Sequence, residues 1–96
     1  MPYVRISIAK PSAGQSDAVR SIMKRINEAV IAQDGCQVAY MLTPSDKSGE
    51  LARMAIYDNQ ESAEKAANSQ TVMSLRSQMH QIVEAGHVER AFHTEE

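Results

Sequence analysis

Residues 3–8, Tyr3-Val4-Arg5-Ile6-Ser7-Ile8, set apolar and mostly polar side chains in strict alternation. Val4, Ile6 and Ile8 point one way, and Tyr3, Arg5 and Ser7 the other. A period of two built on β-branched residues predicts a half-buried strand over 3–9. Nothing in the alternation says which of its two faces is covered. Pro11 to Gly14 ends the strand in a turn.

The helical period takes over next. Ser16 offers a capping oxygen and Asp17 an acid for the positive end of the dipole. Val19, Ile22, Met23, Ile26, Ala29 and Val30 then recur at spacings of three and four, one apolar stripe, with Arg20, Lys24, Asn27 and Glu28 outside it. Asp34-Gly35 closes this segment. Residues 36–43 and 50–57 read as strands joined by the turn formers Pro44 to Gly49, which suits an antiparallel hairpin. In the first of them Cys36, Val38, Tyr40 and Leu42 are expected on one face. Asp58 and Glu61 match a capping box. The second helix carries Ala63, Ala66 and Ala67, then Val72, Leu75, Met79, Ile82 and Val83, with a break possible at Asn68-Ser69 and a stop at Gly86. Residues 88–94 make the last strand.

The resulting order is β-α-β-β-α-β. It predicts an α+β ferredoxin-like domain over residues 1–96, with a four-stranded antiparallel sheet and two helices on one face. Nearly every strand has apolar residues on both parities, so the open face needs its own cover. A chain of 96 residues with three tyrosines, one phenylalanine and no tryptophan has a thin private core. A homodimer closed through the open sheet face answers both needs.

Composition excludes several classes. Ten basic against 12 acidic residues, net charge −2, argue against nucleic-acid binding. One cysteine excludes an internal disulfide framework and a Cys-based zinc site. His80, His87 and His93 lack the spacing of a metal triad. No stretch approaches the roughly 18 apolar residues of a membrane span, and no targeting segment is evident, so a cytoplasmic protein is expected.

Gly35-Cys36 at the head of the second strand, Tyr57-Asp58 at the end of the third, and Glu61, Ala63 and Ser69 in the helix that follows carry a resemblance. In order and spacing they are similar to the antibiotic-biosynthesis-monooxygenase family of dimeric α/β barrels, in which Pro-Gly-Cys and Trp-acid are frequent at the first two places. The resemblance covers almost the whole chain. It implies two ferredoxin-like subunits sharing one barrel, and a small hydrophobic or aromatic ligand held between sheet and helices. It also implies, for some members, oxygenation of aromatic polyketides or quinols with neither metal nor flavin as cofactor. This chain departs from the family in having Tyr57 at the tryptophan and Ala66 at a frequent histidine. The Asn–Trp–His set of the haem-degrading branch is unmatched, with Arg5 and Ser7 on the first strand and Arg76 or Ser77 near the histidine position.

Candidate residues follow from what such chemistry requires. A phenol or quinol must be bound, lose a proton and be stabilised as an anion. Tyr57 and His80 are the catalytic candidates, and Tyr40, Asn68 and Arg76 the ligand-binding ones. Each has a plainer reading, Tyr57 as core packing and Arg76 as a solvated or subunit-bridging charge. Arg5, Arg53 and Arg90, on three strands, would hold an anion if they shared a face, or pair with Glu50 and Glu89 across strands. Met23, Met54, Met73 and Met79 offer an adaptable lining or ordinary gap-filling. Cys36 is expected to be a small buried apolar residue. The alternative to an oxygenase is a non-catalytic dimeric small-molecule-binding or stress-related protein on the same fold.

Overall fold

The alternation at the N-terminus does produce a strand, but the side that the helices cover is the more polar one. A computed structural model describes residues 1–95. Its elements are β1 (Tyr3–Ala9), α1 (Ser16–Ile31), β2 (Cys36–Leu42), β3 (Leu51–Tyr57), α2 (Gln60–Ala67), α3 (Gln70–His80) and β4 (Val88–His93). The strands form one antiparallel sheet in the order β2-β3-β1-β4, the ferredoxin-like α+β arrangement.

The core lies between the helices and the face bearing Tyr3, Ser7, Ala9, Leu51, Arg53, Ala55 and Tyr57, all buried. From α1 it receives Val19, Ile22, Met23, Ile26 and Val30, and from α3 Val72, Leu75 and Met79. Both helical stripes are therefore buried as their periodicity predicts. The opposite sheet face carries Val4, Ile6 and Ile8, paired against Ile56, Met54 and Ala52 on one side and Phe92, Arg90 and Val88 on the other. Val38, Tyr40 and Leu42 complete it. Arg90 is the one charge among these positions, and its guanidinium lies 5.5 Å from the Phe92 ring centroid.

Local chemistry departs from the sequence reading at five places. A register shift between Cys36 and Val38 turns Cys36 to the helix side, opposite Tyr57, so it does not share a face with Val38, Tyr40 and Leu42. The long second helix divides at Asn68-Ser69, because Ser69 is extended and its hydroxyl accepts from Val72 N to start α3; there are thus three helices, not two. Asn59, not Asp58, caps α2, accepting from Ser62 N at 2.9 Å. Asp58 is drawn off by Gln37, whose amide donates to it at 2.9 Å. α1 starts at Ser16 itself after Gln15, with no side-chain cap. The helical turns end earlier than Gly86: after His80 the chain crosses to the segment that follows β1, where Ser12 N donates to Ile82 O and Glu84 N to Lys10 O.

Gly35 holds the turn between α1 and β2 at a φ of +90°, and a Cβ there would meet Ser62 Oγ and Cβ. Left-handed backbone costs an L-residue roughly 1–2 kcal/mol before any clash. Gly35→Ala is expected to destabilise by about 1–3 kcal/mol. A thermal melt reads this as a midpoint drop of several degrees.

Candidate functional site

Placing polar residues under the helices creates a cleft there. Its floor is Arg5 and Ser7 of β1, Arg53 and Tyr57 of β3, and Glu89 and Ala91 of β4. Its walls are Val30 of α1, Ala67 of α2, and Val72 and Arg76 of α3. The cavity holds about 190 Å³, above the roughly 150 Å³ that admits benzene and below the roughly 300–1,000 Å³ of drug-sized sites. One or two fused rings fit that space.

The electrostatics are lopsided. Four arginines, Arg5, Arg53, Arg76 and Arg90, border the cleft against one carboxylate, Glu89, although the strand position of Arg90 faces the open side of the sheet. Glu89 is spoken for, since Arg76 Nη2 donates to it at 3.0 Å across the rim between α3 and β4. Arg76 Nε is buried with no hydrogen-bond partner among the described residues. Arg53 is only 8% exposed, and Nη1 donates to Asn27 Oδ1 of α1 at 3.1 Å. Burial lowers its pKa, opposed by the Tyr57 hydroxyl and Glu89. Burial raises the Tyr57 phenol above its usual range, opposed by the charges of Arg53 and Arg5. Tyr57 is therefore a neutral O–H donor beside cations, a set that stabilises an anion.

A second group of polar residues joins the cleft to the surface. Ser7 Oγ lies 2.8 Å from His87 Nε2, and His87 Nδ1 lies 3.1 Å from His80 Nε2. Burial lowers the His87 pKa below 6.5, with Glu89 opposing and His80, Arg76 and Arg53 reinforcing.

Among the sequence candidates, Tyr57 and Arg76 line the cleft. His80 does not line it but reaches it through His87 and Ser7. Asn68 is exposed at the break between α2 and α3, one residue beyond the lining residue Ala67. Tyr40 is on the open face, half exposed, on the far side of the sheet from the cleft. Of the three strand arginines, Arg5 and Arg53 share the helix face and Arg90 does not, because it pairs opposite Ile6. Ser7 and His87 were missed as site residues. The signal was their strand parity and loop position, which only gain meaning once β4 pairs beside β1. Met23 and Met79 fill the core, while Met73 is exposed. Cys36 is half-buried rather than buried as expected; it donates to Val38 O at 3.8 Å, and burial raises its thiol pKa.

The same architecture recurs in solved structures. Rv0793 from Mycobacterium tuberculosis superposes with a TM-score of 0.90 at 18% identity, covering 100% of this chain and 97% of that one. A conserved protein from Methanosarcina mazei Go1 gives 0.91 at 7% identity, over 99% and 94% of the two chains. SnoaB, a cofactor-independent oxygenase from Streptomyces nogalater, gives 0.81 at 12% identity, over 100% and 96%. At these identities the likeness is one of fold. No curated protein matches the chain in sequence. The profile of one family does match, over residues 1–85, and those residues carry β1 through α3, including Arg5, Ser7, Arg53, Tyr57 and Arg76 of the cleft. The chain belongs to the antibiotic biosynthesis monooxygenase family.

Proposed function

We propose that the protein is a cytoplasmic homodimeric oxygenase that inserts an oxygen atom from dioxygen into a small phenol or quinol, without metal or flavin. The observation that carries this reading is the convergence of Arg5, Arg53, Arg76 and the Tyr57 hydroxyl on one small, partly apolar cleft. A phenolate is the electron-rich form that reacts with dioxygen. Fixed cations and a neutral O–H donor in a half-closed site favour it over the parent phenol. Val30, Ala67 and Val72 supply apolar wall for the ring. SnoaB, of the same fold, is a cofactor-independent oxygenase, and family membership supports a monooxygenase-like activity.

The test is dioxygen uptake by chelator-treated protein with a panel of quinols, including naphthohydroquinone, against the uncatalysed background. Uptake with a hydroxylated quinone as product is expected. Tyr57→Phe removes one donor to the developing anion and is expected to lower kcat roughly 100-fold. Binding of the panel without uptake would contradict the oxygenase and favour a small-molecule-binding protein.

A further inference from the structure

The pair of histidines next to the cleft is not needed to bind an anion, yet its geometry is specific. Ser7 is 5% exposed and lines the cleft. Its Oγ is 2.8 Å from Nε2 of the half-buried His87. The other nitrogen of that ring, Nδ1, is 3.1 Å from Nε2 of the exposed His80. The three groups thus form an unbroken hydrogen-bonded path from the cleft floor, through a ring that uses both its nitrogens, to solvent.

A nucleophilic role for Ser7 has no support in its surroundings. β1 is paired on both edges, to β3 and β4, so the amides flanking Ser7 are committed to the sheet. None is free to hold a tetrahedral oxyanion.

Resting on the phenol reading above, we propose that Ser7, His87 and His80 are a proton relay that carries the substrate's hydroxyl proton out of the cleft and later returns one. The neutral His87 ring accepts at Nε2 from the Ser7 hydroxyl and donates from Nδ1 to His80. When the substrate O–H gives its proton to Ser7 Oγ, the Ser7 proton passes to His87 Nε2. The Nδ1 proton passes to His80 Nε2, and His80 releases its own Nδ1 proton to water. The electron pair of the broken O–H bond stays on the phenolate. The ring carbon ortho or para to that oxygen then bonds to dioxygen, the co-substrate, which takes two electrons and becomes a peroxide anion. One proton returning along the relay makes it a hydroperoxide. The O–O bond breaks as the ring C–H proton and the distal hydroxide leave together as water, and a carbonyl remains. One proton leaves and one returns, so the relay ends in its starting state.

The groups facing His87 favour this role. Arg53 from β3, and Arg76 and His80 from α3, disfavour its protonation, as does burial, while Glu89 from β4 opposes them. The ring is therefore neutral and able to accept at ordinary pH.

The experiment is dioxygen uptake by the full-length protein with naphthohydroquinone in weakly buffered solution, comparing wild type with Ser7→Ala, Ser7→Thr, His87→Gln and His80→Ala. Loss of kcat by roughly tenfold or more is expected for Ser7→Ala, His87→Gln and His80→Ala, with KM held within about twofold, as expected of groups that act on the transition state alone. Ser7→Thr, which keeps the hydroxyl, should retain activity. Added imidazole should restore His80→Ala, whose missing ring stood at the exposed end, and leave His87→Gln unrestored. The wild-type kcat should fall on the acid side of the usual histidine range as His87 takes up a proton, and this limb should vanish in His87→Gln. Turnover in wild type with unchanged kcat in the three variants, or losses that imidazole does not touch in His80→Ala, would overturn the relay and leave the oxygenase standing. No uptake by wild type with any quinol would overturn both.

Discussion

Met54→Asp is expected to turn a dimer into a folded monomer. Met54 is on β3, one of the two central strands, between Tyr40 of β2 and Ile6 of β1. No cation stands beside it, since Arg90 faces Ile6 from the far strand. The face around it is apolar on all four strands apart from Arg90, and Tyr40, Val88 and Phe92 are among the exposed large hydrophobic side chains, at 50%, 41% and 47%. The proposed homodimer would close over this apolar sheet face. In a dimer with two-fold symmetry each substitution occurs twice in one contact. A carboxylate buried there without a partner costs several kcal/mol per ion, and every 1.4 kcal/mol is about tenfold in the dissociation constant. Association should weaken more than 100-fold. Sedimentation checks this, with circular dichroism for the fold. The wild type should also melt at higher temperature as its concentration rises, and Met54→Asp should not. A wild type that is monomeric at all concentrations would contradict the interface.

Arg53→Gln is expected to separate stability from binding. A charged group that is nearly fully buried, with one named partner in Asn27, lowers stability through desolvation. A glutamine amide can still donate to Asn27, and it removes the buried charge. Thermal stability should be unchanged or higher. Binding of an anionic aromatic, para-nitrophenolate, should nevertheless weaken roughly 10- to 150-fold, because a hydrogen bond to a charged group contributes about 1.5–3 kcal/mol. Nitrobenzene, which has the ring without the anion, should lose much less. Calorimetric titration of both ligands distinguishes the outcomes. A stability loss with equal weakening of both would make Arg53 a structural residue.

Much of the fold was legible because periodicity is set by backbone geometry. The stripe Val19 to Val30 has a single reading at 3.6 residues per turn, and the alternation in residues 3–9 a single reading at two. Which face of the sheet lies under the helices was not legible. Val4, Ile6 and Ile8 form the more apolar side of β1, whereas Tyr3 and Ser7 are buried beneath the helices with Arg5 half-buried beside them. Local pattern records how apolar a face is, not whether a helix or a second sheet will cover it. The same blindness affected the site. Tyr57 and Arg76 were nameable from residue type, but Arg53 was separable from Arg90 only by strand parity, and Tyr40 fell on the face away from the cleft for the same reason. Ser7, His87 and His80 span 80 positions of sequence at the longest contact, a separation that no short-range pattern bridges.

The cleft beneath the helices, and not the apolar outer face, is the proposed seat of an aromatic anion. Amide-resonance mapping by NMR during titration of the full-length protein with para-nitrophenolate tests it most directly. Shifts should concentrate at Ser7, Arg53, Tyr57, Val72 and Arg76. Shifts concentrated instead at Val38, Tyr40, Met54 and Phe92, or none at saturating ligand, would contradict it.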